Sequence, residues 1–462
     1  MKYLALFFFL LAAPVAAQDL PDTLTQNDLL NWVADHHPLA VRAELQRERA
    51  RALLQQARGG FDPKLYGDLA QKYFKGTRYY SVGEAGLKVP TWFGVELSAA
   101  YERNDGYYLN PERTVPDDGL FAAGLSVSLA RGLLFDERRA ELRRAELYRS
   151  ATEADRLIQL NELLYAAGSR YWEWAGAQGA VRIYAEAVEL ARTRYAAVVA
   201  GARLGDRPAI DTLEASILLQ NRQLSLAEAE LNLINARTAL EAFLWLDGVV
   251  PLELEEDTRP PDPATVRVIL PATPDPGAEN PELTRTRLKV SELEIDERLQ
   301  REQLKPRLDL KYNALVAGGS TQPLEAYSAS NYKWGISFSQ SLLLRKERGK
   351  LQLTRIKLSE TQLELSDKRA ALRVKVEQAA NEARTTVAQF DLATRNAADY
   401  GRLLAGEREL FRAGESSLFL VNNREVAFIE ANVKRLDILV KHRKALLALD
   451  FAAGRIGPAA GQ

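Results

Sequence analysis

HHPLAVRAELQRERARALLQQARGGFDPKL, residues 36–65, decides the reading of this chain because it recurs as ENPELTRTRLKVSELEIDERLQREQLKPRL at 279–308. Pro38 falls on Pro281, Pro63 on Pro306 and Leu65 on Leu308, all at an offset of 243 and without a gap. Self-similarity over such a distance marks a duplicated architecture. Each copy opens on a proline, which suits the first helical position because its missing N–H would be unsatisfied there anyway. The residue before it, His37 or Asn280, is placed to cap the helix. The neighbouring His36 and His37 therefore read as capping or loop residues. No other ligand cluster supports a metal pair, and no metal is expected.

A second register follows downstream. GLLFDERRAEL (132–142) aligns with SLLLRKERGKL (341–351), and GDRPAIDTLEA (205–215) with GESSLFLVNNR (414–424), both at offset 209. Leu133 thus matches Leu342, and Gly205 matches Gly414. The change of offset from 243 to 209 places a 34-residue insertion of the first half between Pro63 and Leu133.

Between the charged Pro-started helix and a long helical arm, each half alternates. Phe93, Val95, Leu97, Ala99 and Tyr101 share one face; so do Phe121, Ala123, Leu125, Val127 and Leu129, with Gly124, Ser126 and Ser128 opposite. In the second half Leu308, Leu310, Tyr312, Ala314 and Val316 alternate with Asp309, Lys311 and Asn313. Tyr332, Trp334, Ile336 and Phe338 alternate with Lys333, Gly335, Ser337 and Ser339. Period two with one apolar and one small or polar face predicts strands. It suits a membrane barrel, apolar to lipid and polar to the lumen, and also a soluble half-buried sheet. The clustered Tyr79, Tyr80, Trp92, Tyr107, Tyr108, Tyr327 and Trp334 favour the barrel, since such rings prefer membrane interfaces. Segments 106–119 and 318–331 read as long polar loops, and 89–94 as a short turn. The insertion then adds one hairpin, giving four strands in the first half and two in the second.

Proline-free arms at about 136–204 and 346–413 follow. Their charges are spaced for i,i+3 pairs: Asp136 with Arg139, Glu141 with Arg144, Glu146 with Arg149. The returning helix 208–246 carries Leu213, Ile217, Gln220, Leu224, Ala227, Leu231 and Ile234 at alternating steps of four and three, the spacing of a coiled-coil seam. The domain reading is a signal peptide at 1–17 and a first repeat at 18–246, with hairpins 64–131 and helical hairpin 136–246. A Pro-rich linker follows at 247–280, with a short strand at 265–270. The second repeat is 281–453, with hairpin 307–341 and helical hairpin 346–453, and a tail runs over 454–462.

Composition limits the function. Among 462 residues there is no cysteine, which excludes disulfides and thiolate metal sites, and one methionine, which argues against a soft-metal relay. A net charge of −1 gives no field for nucleic acid. Lys2, the apolar run Tyr3–Ala13 and the small residues Val15-Ala16-Ala17 read as an export signal, too short to span a membrane as a helix. A membrane span must then be a β-barrel. There is no HExxH, GxSxG or P-loop, so no enzyme and no cofactor are expected. A periplasmic coiled-coil scaffold with a soluble β-domain is the competing reading.

The signal peptide, the duplication, the hairpins set between helices, the LLF and LLL segments before each arm and the Gly-begun turns at 205 and 414 together resemble the TolC-like outer-membrane efflux proteins. The likeness covers nearly the whole mature chain. It implies an α+β fold: a transmembrane antiparallel β-barrel, with strand hairpins from each of three protomers, continuous with a long periplasmic α-helical coiled-coil barrel. It also implies a homotrimer in outer-membrane lipid, acting as the passive exit duct of a tripartite efflux or type I secretion system. Partners would be a periplasmic membrane-fusion adaptor and, through it, an inner-membrane pump. By the same resemblance the adaptor would meet the turns Gly205, Asp206, Arg207, Pro208, Ala209, Ile210 and Gly414, Glu415, Ser416, Ser417, Leu418, Phe419, Leu420. The family's aspartates beyond the second turn are replaced by Leu420 and Asn423. Acid stands instead at Asp211 and Glu214, so the expected aperture is Asp211 and Glu214 with Asn422 and Asn423 as a neutral ring. Ordinary capping by Asp211 and a solvated Glu214 is the alternative.

Overall fold

The computed structural model describes residues 21–274, 280–319 and 328–456. The signal segment, Tyr327 and the end of the tail lie outside them. The element order is α1 Gln26–His36, α2 Pro38–Arg58, β1 Lys64–Phe74, β2 Thr77–Pro90, β3 Val95–Asp105, β4 Leu120–Ser128, α3 Glu137–Leu204 and α4 Ala209–Glu241. It continues with β5 Trp245–Leu246, β6 Val250–Pro251, α5 Pro281–Glu302, β7 Arg307–Ala317, β8 Tyr332–Ser339, α6 Arg345–Arg412 and α7 Leu418–Ala453. The fold class is the expected mixture of long helices and antiparallel sheet. The chain divides into two compact units, to both of which α3 and α6 contribute residues.

In the unit of 42–159 and 274–375, six strands form one antiparallel sheet in the order β1-β2-β3-β4-β7-β8. The first half supplies four strands and the second two, joined where β4 pairs β7. The register aligns the predicted faces. Leu97, Leu125, Tyr312 and Trp334 lie in one row, and Ala99, Ala123, Ala314 and Tyr332 in the next. The opposite face carries Lys88, Ser98 and Gly124 in one row and Glu96, Ser126, Lys311 and Gly335 in another. Gly124 is required there, because a Cβ would collide with the Tyr312 carbonyl oxygen. The outer edges of β1 and β8 pair with no strand among the described residues. Aromatic rings gather at both ends of the sheet, with Tyr79 against Tyr108 at 4.5 Å and Trp92 against Phe93 at 5.6 Å.

The helices of this unit bury Phe135, Ala140 and Leu299 in a small apolar cluster, and ion pairs link them at its flanks. Arg47 on α2 grips Glu153 on α3 through two bonds of 2.8 and 3.0 Å. That pairing, with Arg156 alongside, pulls the pKa of the Glu153 carboxyl down to about 2. Arg285 on α5 reaches Asp155 at 2.8 Å, and Arg355 on α6 reaches Glu297 at 2.9 Å. Of the predicted i,i+3 pairs, Asp136–Arg139 forms at 3.0 Å. Arg144 instead reaches Glu137 at 3.2 Å and Asp296 at 2.8 Å, because α5 offers a carboxylate closer than Glu141 does.

In the unit of 21–41, 160–273 and 376–456, the core forms around Trp174, Tyr171, Leu164, Leu24, Leu29 and Leu240. Its buried polar tips are satisfied: the Tyr171 hydroxyl donates to the Leu24 carbonyl at 2.9 Å, and Trp172 Nε1 to Gln26 at 2.7 Å. Three glycines of α3 admit α7 at close range. A Cβ on Gly168, Gly176 or Gly179 would lie 2.7–2.8 Å from Leu447, Val440 or Leu436. His37 caps α2 as expected, its Nδ1 accepting from the Leu39 N–H at 3.1 Å. Asn280 caps α5 through Glu282 N–H at 2.9 Å. No three metal-binding side chains cluster among the described residues.

One expectation is corrected. The linker strand is not at 265–270; the short pairing is β5 with β6, about a turn in which Asp247 and Gly248 both have positive φ. The α4 seam does not pack inside the chain. Leu213, Ile217, Leu224, Leu231 and Ile234 stay exposed, and α4 instead buries Ala215, Arg222, Ala229 and Leu240. Heptad spacing identifies a sticky stripe but not the partner that covers it. Among the described residues no helix is long and apolar enough to cross a membrane.

Candidate functional site

The two arm-to-return turns are built alike. At the first, Gly205 adopts φ +81°, its N–H donates to the Ala202 carbonyl at 3.2 Å, and Asp206 N–H reaches back to Gly201 at 3.0 Å. At the second, Gly414 adopts φ +80°, with Gly414 N–H on Phe411 at 3.2 Å and Glu415 N–H on Leu410 at 2.9 Å. This is the helix-ending pattern that a left-handed glycine permits, and it recurs residue for residue at offset 209. The restarts differ. Pro208 caps α4 with backbone geometry alone, while the Ser417 hydroxyl accepts from Leu420 N–H at 3.4 Å.

The turns present Leu204, Ile210 and Phe419 as exposed apolar knobs. Gly205, Asp206, Pro208, Ala209, Gly414, Glu415, Ser417 and Leu420 are also exposed, whereas Arg207 and Ser416 are half-buried. Leu418 is a buried packing residue, clustered with Val198 and Ala215 beneath Tyr195 and Phe411. The Arg207 guanidinium lies over the Phe411 ring at 4.8 Å and faces Asp211 at 3.9 Å. The Ser416 hydroxyl donates to Glu407, which also faces Arg424 at 3.7 Å.

The aperture candidates do not stand as free charges. Asp211 faces Arg207. Glu214 accepts from Asn422 Nδ2 at 2.9 Å, and Asn422 Oδ1 accepts from Arg194 Nη1 at 2.8 Å. Asn422 is therefore a buried strut, while Asn423 is exposed. The network closes on a residue absent from the expectations. Glu425 is 1 % exposed, and one of its carboxylate oxygens accepts from both Arg194 and Arg408, the latter at 3.1 Å. Arg194 belongs to α3, Glu214 to α4, Arg408 to α6, and Asn422 and Glu425 to α7. One polar network ties all four long helices together beside the turns. Sequence reasoning passed over Glu425, Arg194 and Arg408 because charges on long helices are mostly solvated. The available signal was Glu425 one turn beyond Asn422, in a stretch of α7 where Ala427, Phe428 and Ile429 leave charge sparse.

Among the described residues this arrangement holds no nucleophile with a base and no cradle for a cofactor. Its polar groups are spent on ion pairs and hydrogen bonds between helices. Residues 277–455 match the outer membrane efflux protein family. Solved structures agree over almost the whole chain. The outer-membrane channel CmeC of Campylobacter jejuni is 15% identical, with a TM-score of 0.62 over 94% of this chain and 87% of that one. CusC, described through its folding and transmembrane channel formation, is 16% identical with a TM-score of 0.63, covering 93% and 91%. The open state of the MtrE outer-membrane channel of Neisseria gonorrhoeae is 14% identical with a TM-score of 0.67, covering 93% and 88%. No curated protein matches. The resemblance to TolC-like proteins is met by both the sequence family of the second repeat and the fold. The matched family is named for outer-membrane efflux proteins, and the solved structures that share the fold are of outer-membrane channels.

Proposed function

We propose that this chain is one protomer of a trimeric outer-membrane exit duct, serving an efflux or secretion machine. The observation that carries the reading is the six-stranded sheet, apolar on one face, polar on the other and, among the described residues, unpaired at both edges. Six strands are too few to close around a water-filled lumen. Three copies would supply eighteen, and at ordinary strand spacing and tilt that barrel is about 35 Å across. The apolar face would meet lipid and the Lys, Glu and Ser face the channel. The exposed α4 seam supports the same assembly, because a second copy would cover Ile217, Leu224 and their neighbours on the stripe. Each 68-residue arm spans about 100 Å at 1.5 Å per residue, enough for a helical conduit.

The turns would form the closable end, with Leu204, Ile210 and Phe419 meeting the adaptor and an inner-membrane pump supplying the energy. Closure would rest on the Arg194–Glu425–Arg408 network, with Glu214 and Asn422 braced against it. Planar-bilayer recording of the purified protein tests this. Small, mostly closed currents from heat-modifiable trimers fit the duct. A monomer that inserts in no lipid would instead favour a periplasmic scaffold.

A further inference from the structure

The two repeats start their long arms at equivalent positions but with opposite charge. In the first repeat Asp136 and Glu137 open α3, and the Asp136 carboxylate accepts from the Arg139 N–H at 3.0 Å. Acids suit the positive end of a helix. At offset 209 the same positions are Arg345 and Lys346; Arg348 and Lys350 follow, with a single acid, the half-buried Glu347, among them. All four cations are exposed, and none makes an ion pair among the described residues, whereas Arg355 farther along α6 does. Cations at a helix start work against its dipole, so helix stability does not explain them.

Their surroundings do. The register puts Ser339 of β8 opposite Arg307 and Ser128 of β4 opposite Asp309, so one rim of the sheet is the rim joined to the arms. Directly before Arg345 stand Leu342, 96 % exposed, and Leu343, 61 % exposed. On the β2–β3 turn of the same rim, Trp92 is 75 % exposed. An exposed Leu–Trp border followed by unpaired cations is the arrangement that seats apolar side chains among acyl chains and cations at headgroups.

We propose that Arg345, Lys346, Arg348 and Lys350 form a docking surface for anionic phospholipid headgroups of the leaflet next to the arms. The inference rests on the reading of the sheet as lipid-facing. Continuity with the apolar face and charge complementarity select lipid as the occupant rather than a second copy of the chain.

The test uses the full-length protein and Arg345→Asp/Lys346→Glu, which gives the second repeat the acids of the first. Both proteins are reconstituted in mixed dioleoyl-phosphatidylglycerol and dioleoyl-phosphatidylcholine bilayers, and retained lipids and oligomeric state are read by native mass spectrometry. The wild type is expected to retain phosphatidylglycerol preferentially. The variant should lose that preference by about fivefold for each cation removed, with oligomer and insertion unchanged. Equal phosphatidylglycerol retention by the two proteins overturns the proposal. So does loss of the oligomer in the variant, which would assign the patch to a neighbouring copy. Failure of both proteins to enter any bilayer would strike the barrel reading itself, a result distinct from either.

Discussion

Replacing Glu425 by glutamine keeps the shape of the side chain and removes its charge. In the native chain one Glu425 oxygen holds two guanidiniums, and the carboxylate is withdrawn from water. Removing one partner of a buried ion pair costs about 3–5 kcal/mol, because the other charge is left uncompensated. The lower end applies here. Arg194 keeps its bond to Asn422, and the Arg408 side chain is 35 % exposed and can turn to solvent. A loss of about 3 kcal/mol shifts the balance between a closed and a loosened tip roughly a hundredfold, at about 1.4 kcal/mol per factor of ten. By contrast Asp211→Asn breaks a pair 3.9 Å apart at the surface, worth less than about 1 kcal/mol. The assays are open probability in planar bilayers and proteolytic nicking at the turns around Gly205 and Gly414. Glu425→Gln should raise both strongly and Asp211→Asn little. If Asp211→Asn opens the channel and Glu425→Gln does not, the buried network is not the latch.

In thermal melts Gly176→Ala should lose about 1–3 kcal/mol of stability, because its Cβ would meet Val440 at 2.8 Å. Gly406→Ala, with nothing within 4 Å, should raise stability slightly, as alanine does in a helix. Leu224→Asp places charge on the exposed seam and should dissolve the proposed trimer while leaving the circular dichroism of the chain intact; sedimentation velocity decides. His442 is fully buried, with Nδ1 3.0 Å from the Thr386 hydroxyl, and burial lowers its pKa below the ordinary value. The unfolded chain therefore binds the proton more readily. Native stability is full above about pH 6.5 and declines as pH falls towards the folded pKa. His442→Gln should flatten the dependence of the melting temperature between about pH 7.5 and 5.

Much of the fold was legible because it rests on short-range pattern. Alternation placed Leu97, Leu125 and Tyr312 on one face, and the register then put them in one row. The glycines at 205 and 414 marked turns because only glycine takes that φ without strain. The tip network was less legible. Asp211 and Glu214 were visible as acids near a turn, and Arg207 and Asn422 as residues of the same region, but not that they pair. Glu425 carries the network from 211 residues beyond Glu214 in the chain.

What the sequence determined by itself was the class of each segment and the duplication. Helical and strand periods, capping residues and turn glycines act within a few residues. What only the tertiary structure decided was which charges meet and which apolar stripes stay open. Arg144 chose Asp296 over Glu141, Gly168, Gly176 and Gly179 became contact points for α7, and the α4 seam was left uncovered. Those outcomes depend on distances between segments far apart in the chain, where a difference of a few ångströms separates an ion pair or a packed contact from a solvated side chain.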